Sequence, residues 1–249
     1  MIYTGLAFLA VAFLYASVGF GGGSTYTAIL IETGMAYQFV PPVSLLCNIV
    51  VVTGGVFHFA KAGHLDLRFA LPLVATSVPA AFFGGYIRID EAVFVTTLGL
   101  ALFVAGILMI LDRRWGSETG AGNSLGLSSR LGLGISLGAL AGITGIGGGI
   151  YLAPVLHLLR LAEARVIAAT CSLFILVNSI AGLGGQLLKL GSQAEVLLNT
   201  SLVVLPLAVL VGGQLGSRLG ATWLPAVPIR RLTGVVILIV AVRLLWRTF

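Results

Sequence analysis

The sequence predicts an all-α integral membrane protein made of two inverted repeats whose helices are interrupted by glycines. The 249 residues are 58% hydrophobic and 9% charged, with a mean hydropathy of +1.10, whereas soluble domains carry about 25% charged residues. Apolar runs of the length that spans a bilayer, about 20 residues, follow one another along most of the chain. The same glycine cluster also occurs twice, at Gly19–Gly23 and at Gly145–Gly149. These three observations set the fold class and suggest a duplication.

Each apolar segment is a predicted helix. The segments fall at residues 2–18, 24–39, 41–60, 67–87, 91–111, 129–144, 150–160, 164–188, 194–217 and 226–246. The stretch 112–128 is rich in Gly, Ser and charge and is the one predicted aqueous linker. A single membrane domain, 1–249, therefore consists of repeat 1 at 1–111, this linker, and repeat 2 at 129–249.

Charge and reactive side chains exclude several classes of protein. The net charge is +6, but the 14 Lys and Arg residues lie singly or in pairs at the ends of apolar segments. That distribution indicates membrane orientation rather than nucleic-acid binding. Cys47 and Cys171 lie inside predicted spans as packing residues, and His58, His64 and His157 show no metal-ligand spacing. We expect no metal, no cofactor and no catalytic residue.

The similarity of the two halves extends past the glycines. After a two-residue insertion, positions 128 residues apart match. The pairs are Ser44 with Ser172, Gly54 with Gly182, Lys61 with Lys189, Gly63 with Gly191, and Gly84-Gly85 with Gly212-Gly213. Three successive glycines break a helix. In hydrocarbon such a break is tolerated only where the backbone faces a cavity or is buried in protein.

Positive charge favours a chain that turns back at each cluster. If the clusters only kink continuous helices, Lys and Arg divide eight against six between the two sides of the membrane. If the chain turns back, they divide ten against four, which fits the positive-inside rule better. The four on the minority side are Arg88, Lys189, Arg243 and Arg247. The halves are then inverted, with both termini outside, an architecture that recurs in secondary transporters.

A helix that starts just after a glycine cluster is a candidate anion site. Its first N–H groups are unpaired and the positive end of its dipole points at the ligand. Ser24 and Thr25 follow the first cluster, and their hydroxyls would add donors. At the second cluster, Thr144 precedes the glycines and Tyr151 follows them. Two such starts facing each other would enclose a small oxyanion; alternatively, the glycines only permit close helix packing.

Polar side chains on the following apolar helices form a second group of candidates, because they should point inward. Asn48, Ser172 and Asn178 could donate to an anion or tie helices together. The predicted substrate-binding residues are Gly21, Gly22, Gly23, Ser24, Thr25, Asn48, Thr144, Gly147, Gly148, Gly149, Tyr151, Ser172 and Asn178. No Lys or Arg lies at the centre of a predicted span, so neutral donors and dipoles would hold the anion.

Two other functions are compatible with these residues. A passive anion channel would use the same donors without coupling. An intramembrane hydrolase could pair Ser24 with His58. However, Ile150 and Gln186 occupy the equivalent positions in the second half. Duplicated glycines without duplicated catalytic residues favour binding.

The motifs resemble one known family. Phe20–Gly23, Gly145–Gly149, the polar segment from Ser172 to Asn178 and the chain length together are similar to the sulfite exporter TauE/SafE family of bacterial permeases. The resemblance implies secondary export of a small sulfur-containing oxyanion, sulfite or an organosulfonate, across the bacterial inner membrane, without an ATPase domain. The expected partners are a small anionic substrate and the lipid bilayer, and no nucleic acid. A homodimer is compatible with the sequence.

Overall fold

A computed structural model describes most of the chain. The described residues are 2–88, 90–111, 125–159, 161–198, 200–223, 234–235, 238–239, 241–242 and 245–246. Most of the predicted linker 112–128 and most of the last predicted segment, 226–246, lie outside them. So do several of the basic residues in the charge argument: Arg113, Arg114, Arg160, Arg230, Arg231, Arg243 and Arg247.

All regular elements of the described residues are helical. The α-helices are α1 (Ile2–Ala16), α2 (Gly23–Glu32), α3 (Val40–Lys61), α4 (Leu67–Tyr86), α5 (Glu91–Leu111), α6 (Leu127–Thr144), α7 (Gly149–Leu158), α8 (Ala164–Leu190) and α9 (Thr200–Thr222). Two 3₁₀ segments, Tyr37–Phe39 and Gly191–Leu198, precede α3 and follow α8.

Five stretches are long and apolar enough to cross a membrane. They are Tyr37–Lys61, Leu67–Tyr86, Leu127–Thr144, Ala164–Glu195 and Val204–Thr222. Large apolar side chains cover the outside of the bundle; Phe57, Phe83 and Leu188 are each at least 60% exposed. Such a surface is stable against lipid rather than water. The predicted all-α, multi-pass membrane fold is confirmed.

Two predicted segments are corrected. The segment 24–39 is not one helix, because α2 ends at Glu32 and the chain turns through Gly34, whose φ is +78°. The segment 194–217 begins as the 3₁₀ stretch Gly191–Leu198 and continues as α9 to Thr222. Only short polar runs, at residues 32–34 and 199–201, mark these breaks, so the hydropathy of the flanking apolar segments did not locate them.

The helix interruptions predicted at the two glycine clusters are present. The chain leaves α1 at Ala16 and starts α2 at Gly23, with Gly22 as N-cap at φ +94°. The second cluster repeats this geometry, with Gly148 as N-cap of α7 at φ +83°. L-residues with side chains rarely adopt this left-handed conformation, so both caps require glycine.

The chain turns back at both clusters. The rings of Phe8 in α1 and Tyr26 in α2 stack with centroids 4.5 Å apart. Phe8 lies eight residues before Ala16, about 12 Å along the helix axis, so a helix that continued onward could not bring Tyr26 beside it. At the second cluster, a Cβ on Gly148 would lie 3.2 Å from the carbonyl oxygen of Leu137, well back along α6. We call these segments, Gly19–Gly23 and Gly145–Gly149, the first and second glycine turns.

The helices that the 128-residue register aligns, α3 and α8, run antiparallel. A Cβ at Gly55 would lie 3.0 Å from the Ser172 hydroxyl, and one at Gly182 would lie 3.5 Å from the Leu45 side chain. Residue numbers thus rise along one helix as they fall along the other. The two helices cross at the centre of the bundle, between the two glycine turns.

Glycine stripes join the halves at the periphery. On α6, glycines at every fourth position pack on carbonyl groups of α4; on α9, a similar stripe packs on α1. The glycines are Gly134, Gly138 and Gly142 on α6, and Gly212, Gly216 and Gly220 on α9. Small residues at this spacing let helix backbones touch. The first helix of each half therefore packs on a late helix of the other half.

Candidate functional site at the glycine turns

Helix α3 connects the two glycine turns at the centre of the protein. The Ser44 hydroxyl lies 3.1 Å from the carbonyl oxygen of Gly23 and 2.8 Å from that of Gly145, and it can donate to either. One turn further along, the Asn48 amide nitrogen donates to the carbonyl of Ile146 at 3.0 Å. Both side chains are fully buried. The apolar spans thus use their few polar groups to hold the interrupted backbone.

Helix α8 makes the reciprocal contact. The Ser172 hydroxyl donates to the carbonyl of Gly19 at 2.9 Å. Ser44 and Ser172 are equivalent in the 128-residue register, and Gly145 and Gly19 are equivalent in the glycine clusters. The same hydrogen bond therefore occurs twice, each time from one half to the turn of the other. Ser172, which the sequence suggested as a substrate ligand, uses its hydrogen in this structural bond.

Both turns leave backbone donors unused. The amide groups of residues 21–24 and 146–150 donate no hydrogen bond to the described residues. Each set lies at the N-terminus of a ten-residue helix, α2 or α7, where the dipole adds positive potential. All of these residues are buried. Unpaired buried N–H groups are rare and costly, so they indicate a place for an acceptor.

Polar side chains of α3 and α8 converge on the second turn. A Cβ at Gly147 would lie 2.9 Å from the Ser179 hydroxyl and 3.2 Å from the Asn48 amide nitrogen. The Ser179 hydroxyl, the Asn48 carbonyl oxygen and both amide atoms of Asn178 are buried without a hydrogen-bond partner among the described residues. The predicted Asn48 thus lies beside the free amides, and Asn178 is the buried neighbour of Ser179 on α8. Ser179 was missed by the sequence reasoning, although the antiparallel register places it opposite Asn48.

The two predicted hydroxyls at the first turn are engaged, whereas the buried Tyr26 hydroxyl beside Gly22 has no partner among the described residues. The Tyr15 hydroxyl lies 2.7 Å from the Thr25 hydroxyl and accepts a hydrogen bond from Ser24 at 3.1 Å. Both predicted hydroxyl donors are therefore tied to a residue of α1. Tyr15 was missed because it meets them only when α2 turns back along α1, ten residues on.

The glycines permit close approach in both turns. The amide of Asn48 occupies the space a Cβ would take at Gly21 and Gly23, and the Ile175 side chain does the same at Gly147 and Gly149. Any larger residue there must displace a core side chain.

Two further predicted residues flank the second turn. The Thr144 hydroxyl donates to the carbonyl of Leu140, one turn earlier in α6, at 2.7 Å. Tyr151 lies buried in the first turn of α7.

The arrangement does not assemble the hydrolase considered above. The Ser24 hydroxyl is hydrogen-bonded to Tyr15. The His58 ring instead lies 3.2 Å from the Gln214 side chain of α9. His58 is ten residues beyond Asn48 on α3, about 15 Å further along the helix, so the structure does not bring serine and imidazole together.

Comparisons with known proteins agree with the motif. A family model described as "Sulfite exporter TauE/SafE" matches residues 4–244. The probable membrane transporter protein y4hK of Sinorhizobium fredii is 31% identical over 97% of this chain and 96% of its own length. The probable membrane transporter proteins MamO of Magnetospirillum gryphiswaldense and Paramagnetospirillum magneticum are 26% identical over 86% of this chain. This chain spans 39% of each MamO protein's length. No solved structure matches.

The family model covers nearly the whole chain, and the y4hK relative aligns from end to end. Both agree with the apolar helices that are long enough to span a bilayer. The chain therefore belongs to the sulfite exporter TauE/SafE family and is a multi-pass membrane transporter.

Proposed function

We propose that this protein is a secondary transporter that exports a small sulfur-containing oxyanion across the bacterial inner membrane by alternating access. The observation that carries the proposal is the pair of buried turns whose amide groups lack acceptors. The anion would accept hydrogen bonds from these amides and from Asn48, Asn178 and Ser179.

The donor set suits an anion that must be both held and released. A hydrogen bond to a charged group contributes about 1.5–3 kcal/mol, so a few amides offset much of the cost of removing a small anion from water. No Lys or Arg is among the described side chains in closest contact with the glycines of the two turns. A fully desolvated Arg would bind an oxyanion bidentately and slow its release. Neutral donors therefore favour turnover.

The antiparallel crossing of α3 and α8 supports an inverted repeat. Equivalent helices that run in opposite directions are related by a pseudo-twofold axis lying in the plane of the bilayer. Arg88 at the end of α4 also donates to the carbonyl of Lys189 at the end of α8, at 3.2 Å, which puts both residues on one face. The turn-back topology predicts this placement, so the contact supports it over the kinked-helix topology.

Burial of both turns supports alternating access rather than an open pore. Residues 19–28 and 144–150 are almost entirely shielded from solvent by protein. A solute can reach such a site only if helices move. In an inverted repeat, the motion that opens one side is mirrored by the motion that opens the other.

The sulfur chemistry of the substrate rests on the family to which the chain belongs. Sulfite and sulfonates present three oxygens around one sulfur atom, a shape that can accept from two facing sets of amides.

The test is flux in proteoliposomes. The purified protein is reconstituted, loaded with labelled sulfite or an organosulfonate, and efflux is followed with and without a pH gradient and with unlabelled substrate on the opposite side. We expect saturable efflux that the opposite-side substrate accelerates. Flux that rises linearly with driving force, without such exchange, would identify a passive channel. Absence of flux for every oxyanion would refute transport of this substrate class.

A further inference from the structure

A polar cavity lies at the face that carries Arg88 and Lys189. Its volume is about 310 Å³. It is enclosed by the ends of α4 and α8, the starts of α3 and α5, and both 3₁₀ segments. Side chains able to donate hydrogen bonds line it; they include Arg88, Lys189, Gln38, Ser192 and Gln193.

The cavity concentrates positive charge. Arg88 donates to the backbone carbonyl of Lys189 at 3.2 Å, so the two cationic residues share one small space. None of the residues that line the cavity is Asp or Glu. Asp90 and Glu195 are close in sequence, but both are exposed and neither lines the cavity. Two like charges held together without a carboxylate favour occupation by an anion.

The floor of the cavity adjoins the second glycine turn. Pro41 lines the cavity, and a Cβ at Gly145 would lie 2.5 Å from the Pro41 Cα. Ser44, one helical turn further along α3, donates to the carbonyl of Gly145. A solute in the cavity would therefore be separated from the turn by about one layer of residues.

The cation pair has no counterpart in the other half. Lys61 is the register equivalent of Lys189, but the equivalent of Arg88 is Gly216, which packs on the carbonyl of Phe13. Lys61 instead lies 6.0 Å from the ring centroid of Phe57. The duplicated scaffold thus carries this pair on one face.

We infer that the cavity between Arg88 and Lys189 is a second oxyanion-binding site. The ligand is a tetrahedral or pyramidal oxyanion group, either a free sulfate-like anion or the phosphate of an anionic lipid. That the cavity is an entrance to the transport route rests on the function proposed above. Binding of the oxyanion in the cavity does not depend on that function.

Binding of labelled sulfate to the purified protein in phosphatidylcholine nanodiscs tests the inference. We use the Gly148→Val background, in which the glycine-turn site is disrupted, beside the natural sequence. We expect saturable sulfate binding in both, weakened by about tenfold or more in R88Q/K189Q and falling steeply with salt. The matched control K61Q and the charge-preserving R88K/K189R, which also reports on folding, should retain binding.

A second arm distinguishes the source of the oxyanion. In nanodiscs that also contain phosphatidylglycerol, a lipid ligand would displace sulfate and would remain bound through purification only when both cations are present. Sulfate binding unchanged by added phosphatidylglycerol would identify a free anion. If R88Q/K189Q binds sulfate and phosphatidylglycerol as the natural sequence does, or if the natural sequence binds neither, the inference is wrong.

Transport separates this inference from the proposed function. If R88Q/K189Q raises KM for sulfite by about fivefold while kcat stays within twofold, the cavity lies on the route as an electrostatic mouth. If the natural sequence transports no oxyanion yet binds sulfate through Arg88 and Lys189, the proposed function fails and the site stands.

Discussion

The two glycine turns have the same backbone conformation but differ in the polar side chains around them. In both, a left-handed glycine caps a ten-residue helix and a serine from the opposite half holds the first glycine's carbonyl. At the first turn, Ser24 and Thr25 are bonded to Tyr15. At the second, the Ser179 hydroxyl beside Gly147 has no partner among the described residues.

The difference indicates a division of roles. The duplicated features are those that any interrupted helix needs, namely left-handed caps and bonds to the freed carbonyls. The features that differ are donors that could serve a ligand. We therefore expect the first turn to contribute mainly backbone amides, and the second to contribute amides together with side chains.

Replacing a left-handed glycine cap should have the largest effect on transport. Gly148→Val forces a β-branched residue to φ +83° and pushes its Cβ to within 2.8 Å of the Phe174 ring. Such strain costs about 1–3 kcal/mol before the collision is counted, and the amides of α7 lose their alignment. We expect sulfite flux in proteoliposomes to fall by more than about 100-fold while membrane insertion persists.

A matched control is available for that variant. Gly34 has a similar φ of +78°, but a Cβ there would meet nothing within 4 Å. Gly34→Val carries the same backbone strain outside both turns and should keep most of the flux. Equal losses in the two variants would mean that general destabilisation, not the turn, explains the effect.

Changes at Asn178, the buried neighbour of Ser179 on α8, should have the next largest effect on substrate affinity. Asn178→Asp preserves shape but replaces donors with a carboxylate that repels an anion. Asn178→Leu only removes the donors. We expect apparent affinity for sulfite to fall by about 10- to 100-fold for Leu, which corresponds to about 1.5–3 kcal/mol, and further for Asp. Competition binding with a labelled oxyanion measures this, and equal affinity in Asn178→Leu would remove Asn178 from the site.

The two reciprocal serines should have intermediate effects on stability. Ser44→Ala and Ser172→Ala each leave a buried glycine carbonyl without its donor, which costs about 1–3 kcal/mol. Ser44 also accepts a hydrogen bond from the Thr27 hydroxyl, so thermal unfolding in detergent should show a larger loss of Tm for Ser44→Ala than for Ser172→Ala. A larger loss for Ser172→Ala would mean that the bond to Gly19 matters more than the contacts of Ser44.

The smallest effect on transport is expected from replacing a hydroxyl side chain at the first turn. Ser24→Ala removes one hydrogen bond to Tyr15, worth about 0.5–1.5 kcal/mol, and leaves the amides in place. Flux should stay within about threefold of the natural sequence. Loss of all activity in Ser24→Ala, with labelling of Ser24 by a serine-reactive probe, would instead revive the hydrolase interpretation.

The sequence predicted the helices and their interruptions well because membrane spans and glycine clusters are local signals. The breaks after Glu32 and near Leu198 were missed because only about three polar residues interrupt the apolar sequence at each. Asn48, which contacts both turns, could be predicted as an inward-facing residue because polar residues on apolar helices stand out. Ser179 and Tyr15 were not found, since their roles depend on which helices run antiparallel and which turn back.

The reciprocal bonds from Ser44 and Ser172 also bear on how the protein assembles. Each turn takes one of its hydrogen-bond donors from the other half, the first from Ser172 and the second from Ser44. A nascent first half in the membrane therefore holds the Gly19 carbonyl without its donor until α8 has been synthesised. We expect a fragment truncated at the linker to insert into the membrane with its first turn less ordered than in the full chain.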